Sequence, residues 1–470
     1  MQFKRHRWGG ISLGLIAVAL FVSATPVLAQ EQKTETPQVE QPAEEAEGAG
    51  RLLRKEESGT HLCAGCLSTI YTEGSKGTIT PYGRIELDAI YSSRNTNPLD
   101  PAQFNGYATA AGKNSNASST LNPRYSVFGI RADRTDGKHS LVGVVEADFY
   151  GAKDLAGNIP PRLRLAYLRY TYNKTSLTVG QDWTPVMALH PDLIDFSIMG
   201  YGGNLWQRIP QITLRHQFSE NLEGLVTVMR FERGLYAISG QRQVRPDYRT
   251  PGAQVGQGDN SLGGFGSSND AFSDPIQHPY YGTRLAYTKD GKLFAVSAAY
   301  RWYRSAPRQG TNAAAFGSGA FQSGKDINSY LVGAEVVWPI TKVLKFSGEV
   351  AYGQALGQEF FRFGQDLNLT TGNPVRALVA WGQLSYAPVK GYTFLTGYGL
   401  DNPNRSDLNG STSNVDTQYL SNQRMYLTVV KQIWADFYMG GEFQNLWTQW
   451  AGTFERFSGQ QYNLSFWYNF

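Results

Sequence analysis

From about residue 78 to residue 470 the sequence is a succession of segments in which apolar and polar residues alternate, joined by connections that are in turn long and short. A period of two marks a strand with one apolar face. The long–short rhythm is that of antiparallel hairpins whose tight turns all lie at one end of a barrel. Long connections are expected at about 93–123, 151–160, 183–209, 233–277, 304–325, 356–372, 401–421 and 447–458. Short ones include Thr135-Asp136-Gly137-Lys138, Asn173-Lys174, Lys289-Asp290-Gly291-Lys292, Pro339-Ile340-Thr341-Lys342 and Pro388-Val389-Lys390-Gly391, which carry chain-reversal chemistry. Eight long and seven short connections join sixteen strands. The last strand sets Tyr462, Leu464, Phe466, Tyr468 and Phe470 against Gln461, Asn463, Ser465, Trp467 and Asn469. It needs a hydrogen-bonding partner, and a closed sheet supplies one in the segment around Tyr82 to Tyr91.

The two faces of each strand differ in kind. Gly83, Ile85, Leu87, Ala89 and Tyr91 alternate with Arg84, Glu86 and Asp88, and Leu344, Phe346, Gly348, Val350 and Tyr352 with Lys345, Ser347 and Glu349. Phe294 to Trp302 and Ala435 to Phe443 repeat the pattern. Apolar faces of about five residues suit strands of about 9–11 residues tilted across a bilayer. Trp302, Trp338, Trp434 and Tyr468 fall at strand ends, where aromatic girdles lie. Hydrophobic residues make up only 41% of the chain, as expected of a wall that is greasy outside and polar inside. A soluble β-sandwich also alternates, but it has no need of aromatic strand ends or of a charged inner face. The expected fold is therefore all-β: a transmembrane antiparallel β-barrel of 16 strands over residues 77–470.

Ahead of it, Lys4, Arg5, His6 and Arg7 precede the apolar run Ile11–Val22 and the small-residue site ending at Ala29. Residues 1–29 read as a secretory signal peptide, the run being too short to span a bilayer as a helix. Residues 30–76, with Glu31, Glu35, Glu40, Glu44, Glu45 and Glu47, read as an acidic, flexible periplasmic extension. Its Cys63 and Cys66 form a CxxC pair, read as a possible local disulfide in an exported protein. Leu67 excludes the haem c motif, and zinc would need two more ligands, with His61 the only one near. The signal carries three of the positive charges in a formal net charge of +4, and nothing in the balance suggests nucleic acid.

No GxSxG, HExxH, P-loop or GxGxxG motif is present, so no enzyme, cofactor or metal is expected. Counting by twos instead directs Arg84, Arg131, Arg162, Arg164, Arg215, Arg284, Arg301 and Arg424 into the lumen. There, guanidinium groups attract carboxylates and phosphates. Glu86, Asp88, Asp133, Glu146, Asp148, Glu335, Glu349, Asp436 and Glu442 share that face and can pair with them. Arg376 shares parity with Leu378, which leaves its direction open. The fourth strand changes phase, Leu163, Leu165 and Tyr167 giving way to Leu168, Tyr170 and Tyr172. The third long connection carries Val186, Met187, Leu189, Leu193, Ile194, Phe196, Ile198 and Met199, too apolar for water. It is expected to fold into the barrel and set Asp192 and Asp195 opposite the arginines, the alternative being packing on a neighbouring subunit. Gly256 to Asp274 has the composition of a flexible loop.

Several of these segments, in order, resemble the DcaP-like porins of Gram-negative outer membranes: Tyr82-Gly83-Arg84-Ile85-Glu86-Leu87-Asp88, Ser126-Val127-Phe128-Gly129-Ile130-Arg131, Val145-Glu146-Ala147-Asp148-Phe149-Tyr150-Gly151, Arg162-Leu163-Arg164, Gly180-Gln181-Asp182-Trp183 and Pro210-Gln211. The likeness runs from about 80 to 218 and returns in the final strand. It implies a homotrimer of sixteen-stranded barrels in outer-membrane lipid, passing small anionic solutes such as dicarboxylates through an arginine-bearing constriction. It also implies that Phe470 resembles the signal read by the barrel-assembly machinery. The acidic extension with its CxxC pair departs from the helical N-terminal piece of some relatives. The two rival readings are an outer-membrane hydrolase and a non-conducting adhesion or binding barrel.

Overall fold

The computed structural model describes residues 70–71, 77–93, 96–97, 104–105, 117–150, 160–230, 278–304, 325–362, 365–368, 371–408, 419–450 and 456–470. Sixteen strands form the wall: β1 (Gly77–Ser92), β2 (Val127–Asp136), β3 (His139–Asp148), β4 (Arg162–Tyr172), β5 (Thr175–Trp183), β6 (Arg208–Gln217), β7 (Leu222–Met229) and β8 (Tyr280–Lys289), then β9 (Lys292–Arg304), β10 (Asp326–Pro339), β11 (Leu344–Gln354), β12 (Arg376–Tyr386), β13 (Tyr392–Pro403), β14 (Tyr419–Trp434), β15 (Phe437–Trp450) and β16 (Arg456–Asn469). Successive strands pair antiparallel and the sheet closes, with Ile85 opposite Tyr468 and Tyr91 opposite Tyr462 across the β1–β16 seam. On its other edge β1 pairs with β2, and the short strand Ser118–Asn122 extends that edge against Asp88–Ser92. Ile70–Tyr71 adds a short pairing to Thr78 and Ile79. The described strand ends agree with the expected connections to within a few residues.

Phe470 completes the seam. Its N–H donates to Gly83 O at 3.0 Å and its carbonyl accepts from Gly83 N at 2.9 Å. A Cβ at position 83 would stand 2.4 Å from Val127 O and 2.7 Å from Phe470 Cζ, so the close approach requires glycine.

The outer wall exposes Ile85, Leu87, Val145, Leu168, Val179, Ile212, Val226, Leu285, Val296, Val332, Val350 and Leu464. Aromatic residues bound this apolar belt. Phe294 and Trp302 both face outward eight residues apart in β9, which is roughly 27 Å along the strand and about 20 Å of height at ~40° of tilt. Lys292 Nζ lies 4.6 Å from the Trp338 ring and Lys431 Nζ 5.4 Å from that of Tyr392, their stems lying along aromatic surface while the amines reach for water.

The phase change in β4 is a β-bulge. Ala147 pairs with Leu163 and Glu146 with Leu165, so Arg164 is the extra residue. The switch therefore falls at Arg164 rather than after Tyr167: Leu163 is exposed, whereas Leu165 and Tyr167 are buried with Val144. Residues 1–29, read as a signal peptide, the acidic stretch with His61, Cys63 and Cys66, and the Gly256–Asp274 connection lie outside the described residues.

Candidate constriction and solute path

The connection between β5 and β6 crosses the barrel. Its neck closes through Thr184 N to Gln207 O at 2.8 Å. Beyond the neck its backbone N–H groups donate to side chains of the far wall: Leu189 to Glu349 at 2.8 Å, Asp192 to Gln383 at 2.7 Å, and Ile194 and Asp195 to the two oxygens of Glu442 at 2.7 and 3.1 Å. Val186, Met187, Leu193, Ile194, Phe196, Ile198 and Met199 are buried, as apolar side chains require. It lies flush on the wall at Gly203, whose φ is +111° and where a Cβ would stand 2.1 Å from Ala380 O. At Gly399 a Cβ would meet Gly202 O at 2.2 Å. Met187, Ile198, Met199 and Tyr201 also have positive φ, between 41° and 60°. A β-branched residue there is strained, so the surrounding contacts hold the loop in a shape it would not adopt alone.

A second inward segment, between β11 and β12, was not foreseen. Phe361 stacks on Trp206 of the first loop at 4.7 Å and 17°. Arg362, fully buried, makes two hydrogen bonds to Asp401 at 2.7 and 2.9 Å. Glu359 accepts from Arg301 Nη1 at 2.6 Å. Asp366 is buried in the same segment, and burial raises its pKa to about 6.

Where Phe196 of the first loop meets the β1–β6 side of the wall, arginines and aromatic rings gather round two acids. Asp148 accepts from Arg162 at 3.0 and 2.7 Å and from Arg164 at 3.0 Å, with Arg208 3.5 Å away. Glu146 accepts from Arg164 Nε at 2.6 Å and from the Tyr82 hydroxyl at 3.0 Å. The Phe196 ring lies 5.6, 6.0 and 5.8 Å from the guanidiniums of Arg162, Arg164 and Arg208, and is itself stacked on Tyr150 at 3.8 Å. Arg124 covers the other side of Tyr150 at 4.6 Å, and Arg84 sits 5.3 Å from Tyr125 while pairing with Glu86 at 3.0 Å. Arg164 is as deeply buried as Asp148 and Glu146, whereas Arg162 reaches outward from the buried Asp148, its side chain 23% exposed against 0%.

The arginines directed inward by parity divide by position. Arg84, Arg162 and Arg164 join this cluster. Arg131 and Arg215 face the lumen nearer the short turns, paired with Asp133 at 2.6 Å and Glu223 at 2.7 Å. Arg284, Arg301 and Arg424 are instead tied to the far side, to Glu335 at 2.8 Å, to Glu359, and to Asp195 at 2.7 Å. Of the two loop acids expected to face the inward arginines, Asp195 meets one of them, Arg424. Asp195 turns to the wall, accepting from Arg424 and Ser197, and Asp192 accepts from Gln383 at 3.0 Å. The loop lies flat on β11–β15, and that brings its acids to wall donors. Arg376 has outward parity at the rim and pairs with Asp407 at 2.7 Å.

Three arginines were missed. Arg169 alternates with the exposed Leu168 and Tyr170 and so was legible; it pairs with Asp182 at 3.0 Å. Arg208 shares parity with the exposed Ile212 and Leu214, yet it is buried where β6 emerges from beneath the inward loop. Arg124 lies outside any strand, where alternation gives no direction.

Among solved structures the chain is similar to the outer membrane channel DcaP of Acinetobacter baumannii, at 15% sequence identity over 86% of this chain and 100% of that chain, with a TM-score of 0.63. It is also similar to outer-membrane expressed OmpT of Vibrio cholerae, at 11% identity over 85% and 99% of the two chains and a TM-score of 0.51. An anion-selective porin from Comamonas acidovorans matches at 11% over 84% and 100%, with a TM-score of 0.50. At these identities the likeness is one of fold, and it is the barrel that the resemblance to DcaP-like porins implies. No protein-family model and no curated protein matches the chain.

Proposed function

We propose that this barrel is an outer-membrane porin, a passive diffusion channel for small hydrophilic solutes that favours anions, dicarboxylates among them. One observation carries the reading: on β1–β6, Arg84, Arg162, Arg164 and Arg208 converge on Asp148, Glu146 and Glu86, with Arg124 beside them on Tyr150, and Arg162 reaches out past the buried Asp148. The β5–β6 loop narrows the lumen from the far wall to this cluster, which its Phe196 touches, and a solute passing the part-exposed Arg162 finds a hydrogen-bond donor if it is a carboxylate and repulsion if it is a cation. The apolar belt between aromatic girdles supports a place in outer-membrane lipid. The resemblance to DcaP-like porins adds a homotrimer, and Phe470 at the seam is available to the barrel-assembly machinery.

The described contacts of the histidines do not favour a hydrolase: His139 meets Tyr170, His190 the Trp183 ring, His216 Thr175 and His278 the Trp302 ring. An adhesion barrel would fold in the same way but conduct nothing. Purified protein in planar bilayers under a salt gradient separates these readings. Ohmic conductance with an anion-selective reversal potential is expected, whereas cation preference would overturn the role given to the arginines.

A further inference from the structure

On the outside of the barrel, above the apolar belt, β14–β16 carry a surface of another kind. The β15–β16 pairs Phe437/Tyr468, Met439/Phe466, Gly441/Leu464 and Phe443/Tyr462 are succeeded by Asn445/Gln460, Trp447/Ser458 and Gln449/Arg456. Beside the last two, β14 adds Gln423 and Ser421. Each step of two residues rises about 5 Å in a tilted strand, so these polar rows begin within the headgroup layer, roughly 5–8 Å deep beyond the hydrocarbon.

Two exposed arginines lie on either side of Gln449 there. Arg456 lies 5.2 Å over the Trp447 ring and donates to Gln423 Oε1 at 2.9 Å. Arg405, in the short helix Arg405–Leu408, donates at 2.9 Å to Gln449 Oε1, and Gln449 is the residue paired with Arg456. Among the described residues both guanidiniums are held by neutral amides, whereas each lumenal arginine assigned by parity has a carboxylate partner. Asp407, the acid nearest Arg405 in sequence, is taken by Arg376 at 2.7 and 2.8 Å. The amides fix the direction of the two forks, and no carboxylate among the described residues pairs with either.

We infer that Arg405 and Arg456 bind a phosphate group on the headgroup of an outer-leaflet glycolipid, with Trp447 anchoring the site at the interface. The inference rests on the proposed outer-membrane setting. Each guanidinium fork matches phosphate geometry, and an indole belongs at this depth.

The test uses full-length protein in detergent, wild type and the double variant R405Q/R456Q, titrated with diphosphorylated lipid A and with the same lipid stripped of phosphate. Binding is read by native mass spectrometry. Wild type should prefer the phosphorylated lipid by about tenfold or more, as hydrogen bonds to a charged group allow, and the double variant should lose that preference. Equal binding of the two lipids by wild type, or a preference that survives in the variant, overturns the inference. Displacement of the lipid by millimolar inorganic phosphate would make this a site for soluble anions and also overturn it. A change of oligomeric state in the variant would do so too, by making the arginines a contact between copies. Planar-bilayer conductance of both proteins separates the failures: if both conduct, only the lipid site has failed, and if neither inserts, the membrane setting itself is wrong.

Discussion

Arg162 is the residue whose loss should register most cleanly in ion selectivity. Of Arg84, Arg162, Arg164 and Arg208 it has the most exposed side chain, and Asp148 keeps Arg164 and Arg208 as neighbours when it is removed. Arg162→Ala should therefore leave the fold intact while taking one positive charge from the water-facing surface. A monovalent ion passing ~5 Å from the guanidinium interacts with it by about 0.8 kcal/mol in a water-like medium, which screening at physiological salt roughly halves. The substitution weakens anion attraction and cation repulsion together, so the permeability ratio changes by about 1 kcal/mol, or roughly three- to tenfold. Reversal potentials across a tenfold KCl gradient should move towards zero by the corresponding amount. Arg376→Gln, at the outward rim, serves as the control and should leave the potential where it was. An Arg162→Ala channel with wild-type selectivity would refute the placement of the solute path along β1–β6.

Three further outcomes follow from the inward loops. Glu442 accepts from Ile194 N, Asp195 N, Thr428 Oγ1 and Gln444 Nε2, so Glu442→Ala strands two buried amides at about 1–3 kcal/mol each. The loop should leave the wall, seen as altered single-channel conductance and faster chymotryptic cleavage near Phe196; unchanged values of both would show that the anchor is dispensable. Gly399→Val forces a side chain into the space of Gly202 O and should disturb the same loop, with a conductance change matching that of Glu442→Ala. For Asp366 the folded pKa of about 6 lies above the ordinary 3.8, so the folded segment binds the proton more tightly than the unfolded one. Stability is full below about pH 4, falls as pH rises through 6 and is level above, a loss of about 3 kcal/mol. Proteolytic protection of residues 355–375 should thus weaken between pH 4.5 and 7.5, and Asp366→Asn should abolish that dependence.

The wall was legible because its physics is local. A strand with lipid on one side must alternate, and the alternation of Tyr462 to Tyr468 against Gln461 to Trp467 identifies both the face and the need for a partner in β1. The burial of the apolar side chains in the β5–β6 loop was legible for a similar reason, since Met187, Leu193, Phe196 and Ile198 need cover from water. The segment holding Phe361 gave no such signal: it mixes aromatics with Arg362 and Asp366, and its burial depends on partners distant in sequence, among them Asp401, 39 positions away, which neutralises Arg362. Parity states which face a side chain takes and is silent on what lies across from it. Arg424 and Arg162 look alike in sequence, yet Arg424 meets Asp195 from a loop 229 positions away while Arg162 covers an acid on the adjacent strand. The first arginine spends its charge holding a loop, and the second presents its charge to water. A count of lumenal arginines therefore overstates the field that a solute meets. The selectivity of this barrel should follow the few cations whose acids are buried beneath them, and substitutions at Arg284, Arg301 or Arg424 should show first as lost stability, the cost of leaving Glu335, Glu359 or Asp195 buried without its partner.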